Sequence, residues 1–136
     1  SDIRSPEVGH YSSVFSARKV VRDFLLGVQR KASLGNDLVA EGRDTTTVIF
    51  PDALKKFYMD ASVAERARRR FLQLKEMGID ITEERAERDV IDRDERDQGR
   101  DIAPLTKAKD AIIIDTTDKD IGEILEEILG FLRSDL

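Results

Sequence analysis

The chain has 136 residues, enough for one domain with a core of its own and hardly for two. Apolar residues make up 40% and charged residues 38%, with a net charge of −5, which describes a soluble, helix-rich chain whose overall field disfavours generic binding to nucleic acid or to an anionic membrane. The lack of cysteine excludes disulfides, thiolate zinc sites and a cysteine nucleophile, and with no membrane-length apolar run and no basic leader the expected location is the cytoplasm.

In chain order, residues 6–34 carry apolar residues at helical spacing, among them Val21, Phe24, Leu25 and Val28, with Gln29, Arg30 and Lys31 outward, and predict two helices. Gly35 and Asn36 break that pattern. Leu38, Val39 and Ala40 then form a short apolar run leading into Glu41, Gly42, Arg43 and Asp44, which predicts a buried strand with chemistry at its C-terminal tip. A second strand is expected within 54–62. Ser62 and Glu65 have capping-box spacing at the start of a helix that runs to Gly78, and Thr82 with Glu83 and Glu84 opens another. The β-branched run at 110–117 predicts a third buried strand. Ile121, Ile124, Leu125, Ile128, Leu129 and Leu132 recur at the spacing of an amphipathic helix that packs on a sheet. Strands alternating with helices define an α/β fold with a parallel sheet, in which ligands sit beyond the strand C-termini.

The charged segment "DRDERDQGRDIAPL" sets Arg93, Arg96, Asp97 and Arg100 at i, i+3, i+4 and i+7, one helical face with three guanidiniums and one carboxylate. Arginine suits an anion site because its planar fork binds phosphate oxygens in pairs and stays charged. Asp97 fits between them, holding the arginines apart or accepting from a sugar hydroxyl. A solvated face of i, i+4 ion pairs is the plain alternative. Two further clusters favour anion binding: Arg66, Arg69 and Arg70 share a face, and Arg43 with Asp44 lies just past an apolar run, where a structural ion pair is the competing explanation. Arg22 and Ser13 look like surface residues when taken singly. His10 is the single histidine and has no thiol or imidazole partner, so no metal site is expected, although carboxylates position Mg²⁺ weakly when a nucleotide's phosphates help.

Taken together, Gly42-Arg43-Asp44, "TVIFPDA", "ERARRR", "RDERDQGRDIAPL" and "DTT" resemble, in order, the motifs of bacterial cytidylate kinases, and "IRSPEV" at the start is similar to that family's opening. The resemblance runs from about residue 3 to 132. It implies part of a nucleoside monophosphate kinase fold, with helices near the acceptor site at 1–34, core strands and the Gly-Arg-Asp loop at 35–62, lid helices at 63–105, and the last core strand with the C-terminal helix at 106–136. It also implies a monomeric enzyme that moves the γ-phosphoryl of ATP, with Mg²⁺, onto CMP or dCMP. By the same resemblance Ser13, Arg22 and Asp44 read the cytosine, and Arg43 and Arg100 hold phosphates. Arg93 and Asp97 reach the sugar, and Arg69 is a lid arginine near the donor. Arg43, Arg93 and Arg100 are the catalytic set.

Two departures stand out. Thr45-Thr46-Thr47 follows Gly-Arg-Asp where the family has Ile-Gly-Thr, which alters the loop beside the base. No glycine is followed by lysine, so the sequence shows no phosphate-cradling Gly-rich loop ending in Lys-Ser/Thr. The expectation is the C-terminal portion of a longer kinase, lacking the first strand and phosphate loop and inactive alone. Alternatives are a non-catalytic nucleotide- or anion-binding module, a kinase for UMP or AMP, and a helix-pairing interaction protein, which the absence of heptads in 82–101 disfavours.

Overall fold

A computed structural model describes residues 6–16, 18–99 and 104–134, with the side chains of Pro6 and Ser13 left out. Among the described residues five α-helices and two strands follow one another as α1 Pro6–Ser16, α2 Lys19–Lys31, β1 Phe57–Asp60, α3 Val63–Glu76, α4 Glu83–Gln98, β2 Ile112–Asp115 and α5 Ile121–Arg133, with a π-turn at Thr45–Ile49. Strands β1 and β2 pair in parallel, Phe57 opposite Ile112 and Asp60 opposite Asp115, so α3 and α4 form the crossover between them. Three successive isoleucines favour the extended backbone of β2, and Ile114 is wholly buried. Ladder bonding continues past both ends of the pair, through Ile112 N to Lys56 O at 2.9 Å and Thr116 N to Asp60 O at 2.8 Å. This mixed α/β arrangement, a parallel strand pair flanked by helices, is the expected fold class.

Local chemistry sets the helix ends. Ser62 accepts from Glu65 N at the start of α3, and Thr82 accepts from Arg85 N at the start of α4. At the end of α3, Gly78 takes a φ of +74°, which lets Gly78 N donate to Lys75 O and Ile79 N to Leu74 O, both at 2.9 Å. Asp120 and Glu123 close a full capping box on α5, a signal that the spacing Asp-x-x-Glu carries in the sequence. The Ser62–Glu65 box is only half made, because the Glu65 carboxylate turns to Arg68 and Arg69 instead.

Helices α3 and α4 form a closely packed hairpin around Ala67, Leu74 and Ala86, all buried. A Phe57–Phe131 ring contact, 6.3 Å between centroids, lays α5 against the strand pair. The sequence expectation fails at Leu38–Ala40. These residues are irregular and exposed, Val39 completely so, because a strand needs a ladder partner and among the described residues β1 and β2 pair only with each other. The second and third strands form as expected but are shorter, and in β2 Ile113 is exposed. Among the described residues no helix is long and apolar enough to cross a membrane.

Candidate functional site

The segment Gly42–Ile49 sends its side chains in two directions. At Gly42 a Cβ would meet Thr45 Oγ1, so a side chain at this position would force the threonine to shift. Beyond it, Val48 N and Ile49 N both donate to Asp44 O, at 2.8 and 3.1 Å, and Phe50 N donates to Thr45 O at 2.8 Å, which makes the wide π-turn. The Asp44 side chain points to α2 and accepts from Arg22 Nη2, with both groups largely buried. Its neighbour Arg43 points the other way, and its Nε donates to Asp97 Oδ2 on α4 at 2.8 Å.

Around Arg43 lies an open cleft of about 490 Å³, lined by Arg43, Arg66, Arg69 and Arg70 with Gln73, and by Val90, Arg93 and Asp94 of α4. Three distant segments therefore bring five guanidiniums to one concave surface. Sequence periodicity places Arg66, Arg69 and Arg70 on one face, and the structure turns that face to the cleft. On α4 the face is offset from the expected one. Val90, Arg93, Asp94 and Asp97 share it, while Arg96 points elsewhere and its Nε donates to Asp92 O. Packing against α3 through Ala86 fixes this rotation, so Asp94, expected off the arginine face, pairs with Arg66 inside the cleft.

Most of these arginines are held by acids or backbone. Asp97 is 3% exposed and sits behind the cleft wall, 2.8 Å from Arg43 Nε and 3.8 Å from Arg93 Nε. A buried carboxylate between two cations offsets their mutual repulsion and fixes their spacing. Arg69 Nε donates to Glu65, and its other nitrogens reach Thr116 Oγ1 and Thr116 O at the end of β2. Thr116 itself donates to Asp60 O, so Arg69 joins α3 to the tips of both strands. Arg70 differs, since its side-chain acceptor among the described residues is the neutral Gln73.

Titration reflects this crowding. Partial burial and the nearby Arg43 cation lower the proton affinity of Arg93, Asp97 opposes the change, and Arg70 and Arg96 add to it. Arg93 still stays charged at any relevant pH, so the shift marks a cationic field and not a switch. Glu65 is pulled down to about 2, first by its hydrogen bond to Arg68 and then, against the cost of burial, by Arg69. Among the described residues no three His, Asp or Glu side chains converge to hold a metal ion. The cationic lining of the cleft does not suit a resident divalent cation either.

Of the residues singled out in the sequence, Arg43, Arg69 and Arg93 line the cleft, with Asp97 behind it. Arg22 and Asp44 meet on the other side of the loop. Ser13 lies in α1, and its side chain and the whole of Arg100 fall outside the described residues. Sequence reasoning assigned no site role to Asp94, Gln73, Thr116 or Arg30. Arg30, read as facing outward, donates to Ile49 O and Val48 O at 3.0 and 2.7 Å.

Fold and site together define a mixed α/β chain that gathers arginines of its crossover hairpin and of the Gly-Arg-Asp loop into one cationic cleft. The sequence pattern of the cytidylate kinase family matches residues 1–134. Cytidylate kinase of Thermodesulfovibrio yellowstonii is 51% identical over 98% of this chain and 60% of its own length. That of Thermosipho melanesiensis is 45% identical over 98% of this chain and 61% of its own, and that of Geobacter sulfurreducens 46% over 96% and 56%. The chain belongs to the cytidylate kinase family, and it spans about three fifths of the length of these relatives.

Proposed function

We propose that this chain carries acceptor-nucleotide and lid chemistry of a cytidylate kinase, the enzyme that passes the γ-phosphoryl of ATP to CMP or dCMP. One observation carries the proposal: Arg43, Arg66, Arg69, Arg70 and Arg93 converge on a single cleft, beside a loop that presents a paired Arg22 and Asp44. Phosphoryl transfer spreads charge over the equatorial oxygens of a loose transition state, so it depends on positioned cations more than on acid–base groups. In this scheme Arg43 and Arg100 serve the phosphates, and Arg93 reaches the sugar with Asp97. Asp97 positions Arg43 and Arg93 and accepts from the sugar, and Arg69 serves the lid near the donor.

Base choice follows from hydrogen-bond complementarity. Cytosine presents an amino donor where uracil presents a carbonyl acceptor. A carboxylate at Asp44, aimed by Arg22, accepts from that amino group and meets only lone pairs on uracil, while Arg22 and the Ser13 hydroxyl serve the ring acceptors. Mg²⁺ enters with the phosphates of ATP, since the cleft itself offers no cation site, and every role above belongs to the chain's own side chains. In this proposal the working enzyme is a cytoplasmic monomer.

Calorimetric titration of the chain with CMP, UMP and AMP tests this. Saturable binding with CMP favoured at least about tenfold over UMP is expected, in line with the cost of leaving a buried polar group unpaired. Equal affinities, or no binding up to millimolar nucleotide, would overturn the proposal. The 136-residue chain alone is expected not to form CDP from ATP and CMP, and metal-dependent turnover by it would contradict the idea that the phosphate-loop chemistry lies outside these residues.

A further inference from the structure

We infer that Arg30 is a positioning residue that sets base selectivity at Asp44 without touching the nucleotide. Three observations lead there. The Asp44 carbonyl accepts from Val48 N and Ile49 N, so the backbone of Asp44 is fixed by the π-turn that follows it. Across that turn the Arg30 guanidinium donates to Ile49 O through Nε at 3.0 Å and to Val48 O through Nη2 at 2.7 Å. Arg22, the partner of the Asp44 side chain, lies on the same helix, eight residues earlier and on the same face.

Helix α2 thus grips the turn at both ends, the Asp44 carboxylate through Arg22 and the last carbonyls through Arg30. A rigid helix spaces the two grips by about 12 Å. The turn's own bonds link the carbonyl end to Asp44, which closes a frame: Arg30, turn, Asp44, Arg22, helix. Between the turn and the end of α2 lies a hollow of about 190 Å³ lined by Gln29, Ala32, Leu38, Thr45, Ile49 and Phe50 among others, so packing between helix and turn is incomplete where Arg30 bridges them. Two charge-assisted bonds from one planar guanidinium fix both position and rotation, which a single lysine nitrogen does not. Without them the far end of the turn loses its tie to α2, and the carboxylate that distinguishes an amino group from a carbonyl loses its register. The phosphate cleft is built from α3, α4 and Arg43, and Arg30 contributes nothing to it.

This inference rests on the cytosine-reading role proposed for Asp44, and the test separates the two. Affinities of CMP, UMP and inorganic phosphate are measured on the wild-type chain, Arg30→Gln and Arg30→Lys, together with backbone amide hydrogen exchange. Arg30→Gln is expected to lower the CMP-to-UMP affinity ratio by about tenfold, equivalent to ~1.4 kcal/mol, and to leave phosphate affinity within about twofold. Arg30→Lys should fall between it and wild type. The amides of Val48, Ile49 and Phe50 should lose protection in Arg30→Gln while those of the α3–α4 hairpin keep theirs. An unchanged ratio, or equal losses for CMP and phosphate, would overturn the inference, as would unchanged exchange in the turn. A wild-type chain without CMP preference instead sinks the assignment of Asp44, and the exchange arm still decides whether Arg30 holds the turn.

Discussion

The two helix pairs of this molecule treat their apolar residues in opposite ways. In the α3–α4 hairpin, Ala67, Leu74 and Ala86 are buried between the helices, and the charged faces meet in ion pairs such as Arg66–Asp94. In α1 and α2 the apolar positions remain in the open, with Phe15 at 55%, Val20 at 75% and Phe24 at 72% exposure. The contrast teaches that helical periodicity shows which face seeks cover, whereas burial needs a second surface in reach. The hairpin supplies its own second surface. For α1 and α2 the described residues leave these side chains uncovered, the turn beside α2 meeting its Arg22 and Arg30 and not Val20 or Phe24.

The sharpest way to break that comparison is to truncate one residue on each side of it. Leu74→Ala, at 1% exposure, is expected to cost about 2–5 kcal/mol in denaturant unfolding. Phe24→Ala should change stability by no more than about 0.5 kcal/mol. Comparable losses would show that the α2 face is covered in solution.

Asp97→Asn comes next. Removing the buried carboxylate between Arg43 and Arg93 leaves two half-exposed cations facing each other, with an expected cost of about 1–3 kcal/mol after allowance for solvent screening. CMP affinity should fall with it, and titration of both ligand and denaturant checks the pair of effects. A smaller change is expected at Gly78, whose φ of +74° strains any side chain: Gly78→Ala should lower stability by about 1 kcal/mol in the same unfolding assay.

Acid sharpens the comparison further. Glu65 has its pKa lowered from 4.5 to about 2 in the folded chain, so its pairing with Arg68 and Arg69 supports the fold fully above about pH 4.5 and is lost as pH falls toward 2. Asp110, lowered by its bond to Lys56, and Asp115, lowered by Thr117, act in the same direction. Stability followed by circular dichroism should decline over that acid range, and Glu65→Gln should decline less steeply. A variant as acid-sensitive as wild type would remove Glu65 from the account.

Much of the fold was legible in the sequence, where local chemistry decides it. Ser62, Thr82 and Gly78 mark helix ends by bonds to residues within five positions, and the isoleucines of β2 favour extension by their own branching. Legibility stopped where a distant partner decides the outcome. Leu38–Ala40 has strand composition and, among the described residues, no strand beside it. Thr116 and Arg30 owe their roles to partners 47 and 18–19 residues away, and no spacing rule reports those. The arginines of the candidate site were visible as clusters, but their common cleft depends on how α4 rotates against α3, which is a matter of packing. That rotation put Asp94 in and Arg96 out.

The central claim is that guanidiniums from three segments act together on one nucleotide. Following the arginine side-chain Nε–H resonances during a CMP titration by nuclear magnetic resonance tests it most directly. The account predicts that Arg43 and Arg93 shift together along one saturable curve, with Arg22 following CMP but not inorganic phosphate, while exposed Arg85 and Arg88 stay unmoved. Shifts spread evenly over all arginines, or none up to saturating nucleotide, would contradict it.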